Sequence, residues 1–248
     1  MTTAPTEHSQ SSELELSIVI PVYNERENLV CLEEELNKHL PQLNRSYEIL
    51  FVDDGSLDGS AQLIQSLQEA NPHIRLIRFR FRDGQTAAFD AGFKAARGKI
   101  VVTMDADLQN SPADIPLLLE KIGEYDMVCG WRRQRNDPWV KRISSKIANR
   151  IRNKLSDENI ADVGCSLKAY RRECAQNFKL FKGMHRFFPT LAKMEGFSVF
   201  ETPVRHYPRR HGQSKYNIRN RLFASFLDLL AIRWMKKRRL TYQILKED

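Results

Sequence analysis

The apolar positions of the first hundred residues fall into two alternating registers. Leu16 to Val22 is a continuous apolar run of strand length that closes on Pro21-Val22-Tyr23-Asn24. After it Leu29, Leu32, Leu36 and Leu40 recur every three or four positions, the stripe of a helix that buries one face. The alternation continues with a strand at Tyr47 to Val52, a helix carrying Leu63, Ile64 and Leu67, and a strand near Ile74 to Phe79. A helix from about Gln85 to Ala96 and a strand at Ile100 to Met104 follow. Strands separated by helices of this length predict a parallel sheet covered on both faces, with ligands at the carboxyl ends of its strands. Three such ends carry polar clusters: Tyr23 to Glu25, Asp53 to Ser56 and Asp105 to Gln109.

The second half is less regular. Its pattern predicts a helix at Ile115 to Ile122, a strand at Met127 to Gly130, a basic amphipathic helix at Val140 to Leu155 and a strand within Val163 to Tyr170. A short helix at Phe187 to Met194, a strand at Val199 to Val204 and a loop from Tyr207 to Lys215 come next. A last helix reaches about Arg239.

A chain of 248 residues can bury the core of one α/β domain with an appendage. No apolar run approaches the roughly 18 residues of a membrane span, and no basic-then-apolar secretion signal opens the chain. Met1 to Glu13 is polar and reads as a disordered tail. Cys31, Cys129, Cys165 and Cys174 form no CxxC pair and are expected to be reduced, in a cytosolic setting. The net charge of +8 is unevenly placed. Eleven Lys/Arg face one acid between Arg205 and Arg239, and nine face one acid between Trp131 and Lys154, so the remainder is acidic. Two basic segments on an acidic body suit an anionic partner: phosphate, a membrane surface or nucleic acid. They lack the aromatic interleaving of a single-strand platform, and the acidic cluster repels bare phosphates, which argues against nucleic acid.

Asp105 and Asp107 follow a strand directly, with Gln109 two positions on. Carboxylates two apart in extended chain point the same way and offer Mg²⁺ or Mn²⁺ the few oxygen ligands it takes beside substrate phosphates. The same residues also suit an ordinary turn. In Asp53-Asp54-Gly55-Ser56 the first two carboxylates are read as ligand contacts, and Asp58 as a helix cap. Arg209 to Lys215 is a basic loop suited to a diphosphate or simply to solvent. Leu222 to Met235, with Trp234 and the Lys236-Lys237-Arg238-Arg239 end, is too short and charged to span a membrane. It reads as an interfacial helix, or as a helix packed on the domain with a solvated basic end.

Taken together, Ser17-Ile-Val-Ile-Pro-Val-Tyr-Asn-Glu25, Val52-Asp-Asp-Gly-Ser56, Asp105-Ala-Asp-Leu-Gln109 and Arg209-x-x-Gly-x-Ser-Lys215 resemble the ordered motifs of family 2 glycosyltransferases. Within that family the chain looks like the polyprenyl-phosphate branch, which includes dolichol-phosphate mannose synthase and its bacterial undecaprenyl-phosphate relatives. The resemblance implies a GT-A type, Rossmann-like mixed sheet flanked by helices. It implies a catalytic domain over residues 14–216, with a donor half to about 130 and an acceptor half beyond it, then a basic C-terminal helix and tail over 217–248. Pro21, Val22, Tyr23, Glu25, Asp53, Asp54 and Ala106 would line the nucleotide-sugar pocket. Asp105, Asp107 and Gln109 would hold the metal, and Arg209 and Lys215, with Ser214 shaping the loop, would close on the diphosphate. Arg132 and Arg142 would receive the acceptor phosphate, with Asp162 close by in a positioning or electrostatic role. The loop at Arg82-Asp83-Gly84 departs from the family pattern and receives no site. The implied reaction is inverting transfer from a nucleotide diphosphate sugar to a polyprenyl phosphate, with Asp107, Asp162 and Arg209 at its centre. It would take place at the cytoplasmic face of an anionic membrane, reached directly or through a membrane partner protein. Transfer to a saccharide or protein hydroxyl is the alternative within the family.

Overall fold

The computed structural model describes residues 14–132, 160–209 and 218–240. The expected tail at Met1 to Glu13, the helix at Val140 to Leu155, and Arg142, Ser214 and Lys215 lie outside them.

Seven strands form one sheet: β1 (Leu16–Val22), β2 (Tyr47–Asp53), β3 (Ile74–Arg78), β4 (Ile100–Thr103), β5 (Met127–Arg132), β6 (Lys168–Arg171) and β7 (Val199–Val204). Their order is β3-β2-β1-β4-β6-β5-β7. The first four strands pair in parallel, as the helix–strand alternation requires. The sheet is mixed, as the family resemblance implied: β6 runs antiparallel to both β4 and β5. Antiparallel β6 starts where its neighbour β4 ends, so Lys168 pairs with Thr103 at the carboxyl edge of the sheet. The turn before β6 is thereby delivered to the same edge as Asp105.

The continuous apolar runs reflect burial on both sheet faces. Along β1, Ile18 and Ile20 pack against α1 (Arg26–His39) through Leu29, Leu32 and Leu36, together with Ile64 of α2 (Ser60–Ala70) and Ile115 and Leu118 of α4 (Ile115–Leu119). Val19 points to the other core, where α3 (Gln85–Ala95) contributes Phe89 and Phe93. Phe93, Tyr170, Phe178 and Phe188 form an aromatic cluster there with centroid separations of 5.3–6.0 Å. Short α5 (Arg172–Gln176) and α6 (Phe188–Met194) close this side; α5 was not foreseen, because a five-residue helix carries no readable period.

The last helix, α7 (Ile218–Arg238), buries Leu229 and Ile232 in the second core, with Met235 packed against it. Leu227, Leu230 and Trp234 stay exposed. The segment is therefore packed on the domain along one face, and its outward apolar residues lie on another.

At the amino end of the sheet a buried polar node joins distant segments. The Ser17 hydroxyl donates to Glu48 (2.6 Å) and accepts from the Arg97 and Gly98 amides (3.1 and 2.8 Å), while Arg75 pairs with Glu48. A Cβ on Gly98 would lie 2.5 Å from the Leu16 carbonyl carbon and 2.6 Å from Ser17 N, both backbone atoms that cannot yield. Gly98→Ala is expected to cost roughly 1–3 kcal/mol. A thermal melt should show Tm lower by about 2–12 °C, and an unchanged Tm would refute this close approach.

Candidate active site

The carboxyl edge of the sheet holds a cleft bordered by Pro21 and Val22 at the end of β1, Tyr23 and Glu25 after it, Asp54 after β2, and Arg82 and Gln85 after β3. Asp105, Ala106, Asp107 and Arg209 complete the wall. Four consecutive parallel strands thus each contribute residues.

Beyond β4 the chain does not stay extended. It turns, and Leu108 adopts a left-handed conformation (φ 59°), uncommon for a side chain of this kind. The turn, rather than extended chain, brings both carboxylates to one cavity. The Asp107 carboxylate accepts the Gln109 amide at 3.1 Å, which steadies the turn. The Asp105 amide donates to Ser166 Oγ (3.2 Å), Ser166 Oγ donates to Asn110 (2.9 Å), and the Gln85 side chain donates to the Asp105 carboxylate at 2.8 Å.

Burial first, then the Asp107 charge, push the Asp105 carboxyl up to about 6; Ser166, Lys168 and Arg132 pull the other way. Lys168 is itself buried and donates to the carbonyls of Val163 and Cys165. On the solvent side, Arg209 Nη2 lies 2.7 Å from Asp107 and Nη1 lies 3.7 Å from Glu25. Arg209 sits on an arm fixed to the same turn. Arg205 binds buried Asp114 through its backbone amide and guanidinium (each 2.8 Å), Tyr207 N donates to the Gln109 carbonyl (3.0 Å), and the His206 ring contacts that carbonyl.

The remaining expected residues fall as follows. Asp53 is fully buried, its carboxylate facing the Ser56 amide at 3.3–3.4 Å, and it does not border the cleft. Asp54 borders it, yet its carboxylate accepts the Asp83 and Gly84 amides at 2.7 and 2.9 Å. The N-cap of α2 is Gly59 rather than the expected Asp58, whose carboxylate one residue earlier accepts the Ser60 and Arg26 amides (3.0 and 3.1 Å). Gln109 is engaged through its backbone and is absent from the cleft wall. Arg132, at the end of β5, forks onto nearly buried Asp162 at 2.6 and 2.9 Å. Both lie beside the cleft rather than in its wall. Arg82, Gln85, Asn110, Ser166 and Lys168 were missed. For Arg82 and Gln85 the available signal was their place after a fourth parallel strand.

Paired carboxylates, one raised by burial and the other already carrying a guanidinium, are a donor set whose chemistry fits a divalent cation. Among the described residues no group of three or more His, Cys, Asp and Glu could hold a metal. An ion here would take two protein carboxylates and draw its other ligands from solvent or substrate, as Mg²⁺ does.

Residues 17–178 match glycosyl transferase family 2, and the chain belongs to that family. Its fold is shared with glucosyl-3-phosphoglycerate synthase from Mycobacterium tuberculosis, in a complex with Mn²⁺, uridine diphosphate and phosphoglyceric acid. The TM-score is 0.68 at 17% identity, over 92% of this chain and 80% of that one. The same enzyme with Mg²⁺ and uridine diphosphate gives 0.66 at 17% identity, over 90% and 79%. A mannosyltransferase from Pyrobaculum calidifontis, with GDP-mannose and Mn²⁺, gives 0.61 at 18% identity, over 94% and 67%.

The raised Asp105 value sets a pH dependence. A carboxyl whose folded value exceeds its ordinary 3.8 favours folding when protonated; that contribution is complete below about 3.8 and is lost as pH rises through about 6. A cation reverses the preference, because it binds the ionised form. The rise in Tm produced by Mn²⁺ should therefore grow between pH 5 and 7, and Mn²⁺ affinity should fall roughly tenfold per unit below pH 6. A flat Mn²⁺ titration across this range would remove Asp105 from the cation site.

Proposed function

We propose that this chain is an inverting, metal-dependent glycosyltransferase. It moves a sugar from a nucleotide diphosphate sugar to a polyprenyl phosphate, undecaprenyl or dolichyl. The observation that carries the acceptor reading is the Arg132–Asp162 fork. A hydroxyl acceptor needs a general base, and a carboxylate gripped at both oxygens by a guanidinium is a weak one. A phosphate monoester is already anionic near neutral pH and needs none. A guanidinium has five donors, so Arg132 can hold Asp162 and meet a phosphate together. Asp162 is then a positioning and electrostatic residue, with Arg142 as the second phosphate contact.

On the donor side Asp105 and Asp107 would hold Mg²⁺ or Mn²⁺, and the ion supplies charge neutralisation at the departing diphosphate. Arg209 leaves Asp107 for the same diphosphate and stabilises the charge that develops there, helped by Lys215. Pro21, Val22, Tyr23 and Glu25 shape the nucleotide end, and Gln85 fixes Asp105. The solved neighbours carry uridine diphosphate or GDP-mannose with Mn²⁺ or Mg²⁺, which supports the donor class. Exposed Leu227, Leu230 and Trp234, followed by Lys236 to Arg239, suit peripheral contact with the cytoplasmic face of an anionic membrane, directly or through a membrane partner. No described helix is long and apolar enough to cross one.

Transfer to a hydroxyl is the second reading, favoured by the phosphoglyceric acid held in a structural neighbour. Assays with one radiolabelled donor and either a prenyl phosphate or hydroxyl acceptors separate the two. Product with the prenyl phosphate alone is expected, and product only on hydroxyl acceptors defeats the proposal. Asp107→Ala should abolish turnover, at least a hundredfold, with Tm retained, whereas Arg132→Ala should raise the acceptor KM and spare the donor KM.

A further inference from the structure

Large apolar side chains that face solvent gather on one side of the molecule. Among the described residues Phe81 is 72% exposed and Phe181 62%, and α7 adds Leu227, Leu230 and Trp234. None of the chemistry above uses either phenylalanine. Exposed apolar side chains in adjoining segments mark a surface that something covers.

Contacts between the segments show that they adjoin. The loop after β3 carries Phe81, and the segment between α5 and α6 carries Phe181. Lys182 Nζ lies 2.6 Å from the Asp83 carboxylate, and the Gly183 amide donates to Thr86 Oγ1 at 3.1 Å. On its other side the same segment meets α7, where a Cβ on Gly183 would collide with the Asp228 carboxylate. Phe79, Leu180 and Leu229 are the inward members of these segments, packed into the second core. Phe81, Phe181, Leu227 and Leu230 are the outward ones.

The charge around these rings is positive. Arg78, Arg80 and Arg82 alternate with Phe79 and Phe81, and all three arginines are exposed. The Arg80 guanidinium carbon sits 5.2 Å from the centroid of the Phe81 ring. Exposed Lys179 and Lys182 flank Phe181. Over residues 78–83, 179–183 and 227–240, ten Lys/Arg stand against two acids, Asp83 and Asp228. Lys182 already holds Asp83. Rings bordered by cations suit an anionic bilayer, where the ring enters the interface and the cation meets lipid phosphate. A second copy would instead set these cations against their own kind.

We propose that the loop after β3 and the segment around Phe181 form a second membrane contact, continuous with the outward face of α7. This contact rests on the peripheral-membrane reading above and adds the residues that set how the domain lies. On α7 alone the domain could roll about the helix; Phe81 and Phe181 fix its tilt. Arg82, next to Phe81, belongs to the cleft wall, so the rim of the cleft meets the bilayer surface.

The test is flotation of the full chain with vesicles of phosphatidylcholine, with and without phosphatidylglycerol. Wild type should float with the anionic vesicles alone, and added salt should release it. Phe81→Ser combined with Phe181→Ser should weaken this binding about tenfold with Tm unchanged, the scale of two partly inserted rings. Phe81→Trp combined with Phe181→Trp should bind at least as well as wild type, because indole suits the interface. Trp234→Ser reports on α7 by itself and should also weaken binding. Undiminished binding by the paired serines would overturn the second contact, and a loss with Trp234→Ser beside it would leave the α7 contact standing. Wild type that floats with neither vesicle would overturn direct membrane contact altogether. A wild-type dimer in solution that the paired serines split would give the rings to a second copy and overturn the proposal too.

Discussion

Two carboxylates just beyond β4 stand close enough to repel each other, and much of the carboxyl edge is arranged around that repulsion. Asp105 is half-buried in the cleft wall, with a carboxyl raised to about 6, and buried Asp107 adjoins it. Positive charge comes from three sides: Lys168 at the start of β6, Arg132 at the end of β5, and Arg209 on the arm after β7. Each of these elements needs the sheet order to reach the pair. The antiparallel setting of β6 matters most, because a parallel β6 would leave Lys168 and Ser166 at the opposite edge. The pair has the oxygen donors and the charge that a divalent ion arriving with a diphosphate would need.

The same edge shows how one set of residues serves structure and recognition together. Asp54 spends its carboxylate on backbone amides, and by doing so orders the loop that carries Arg82. Asp114 spends its own on Arg205 and so anchors the arm that carries Arg209. A buried carboxylate with several donors loses little by leaving water and gains rigidity for its neighbour. Two carboxylates of the carboxyl edge, Asp54 and Asp114, therefore shape the cleft through the segment each one anchors.

Much of the first half was legible in advance. β1 to β4 and α3 lie within a residue or so of the expected bounds, and α1 and α2 cover the stripes read for them, because apolar runs and helical stripes of that length have few alternative folds. The chemistry of Asp105, Asp107 and Arg209 was legible from residue type and motif order. The packed face of α7 was less so: Leu227, Leu229, Leu230, Ile232 and Trp234 read as one apolar segment, and only contact with the second core separates the buried from the exposed. Arg82 and Gln85 were passed over because their loop matched no motif, although it follows a parallel strand like the others.

The sequence by itself determined the alternation of strand and helix, the family, and the residue types able to bind a cation and a diphosphate. These depend on local periodicity and on short motifs, which need no partner from elsewhere in the chain. Tertiary structure decided which carboxylates face the cleft and which are consumed by backbone amides, so that Asp53 and Gln109 are absent from the wall while Arg82 enters it. It decided also that Arg132 and Asp162, 30 residues apart, form a fork. Those outcomes depend on how close separated segments come, and a hydrogen bond of 2.7 Å between strand ends leaves no trace in the spacing of letters.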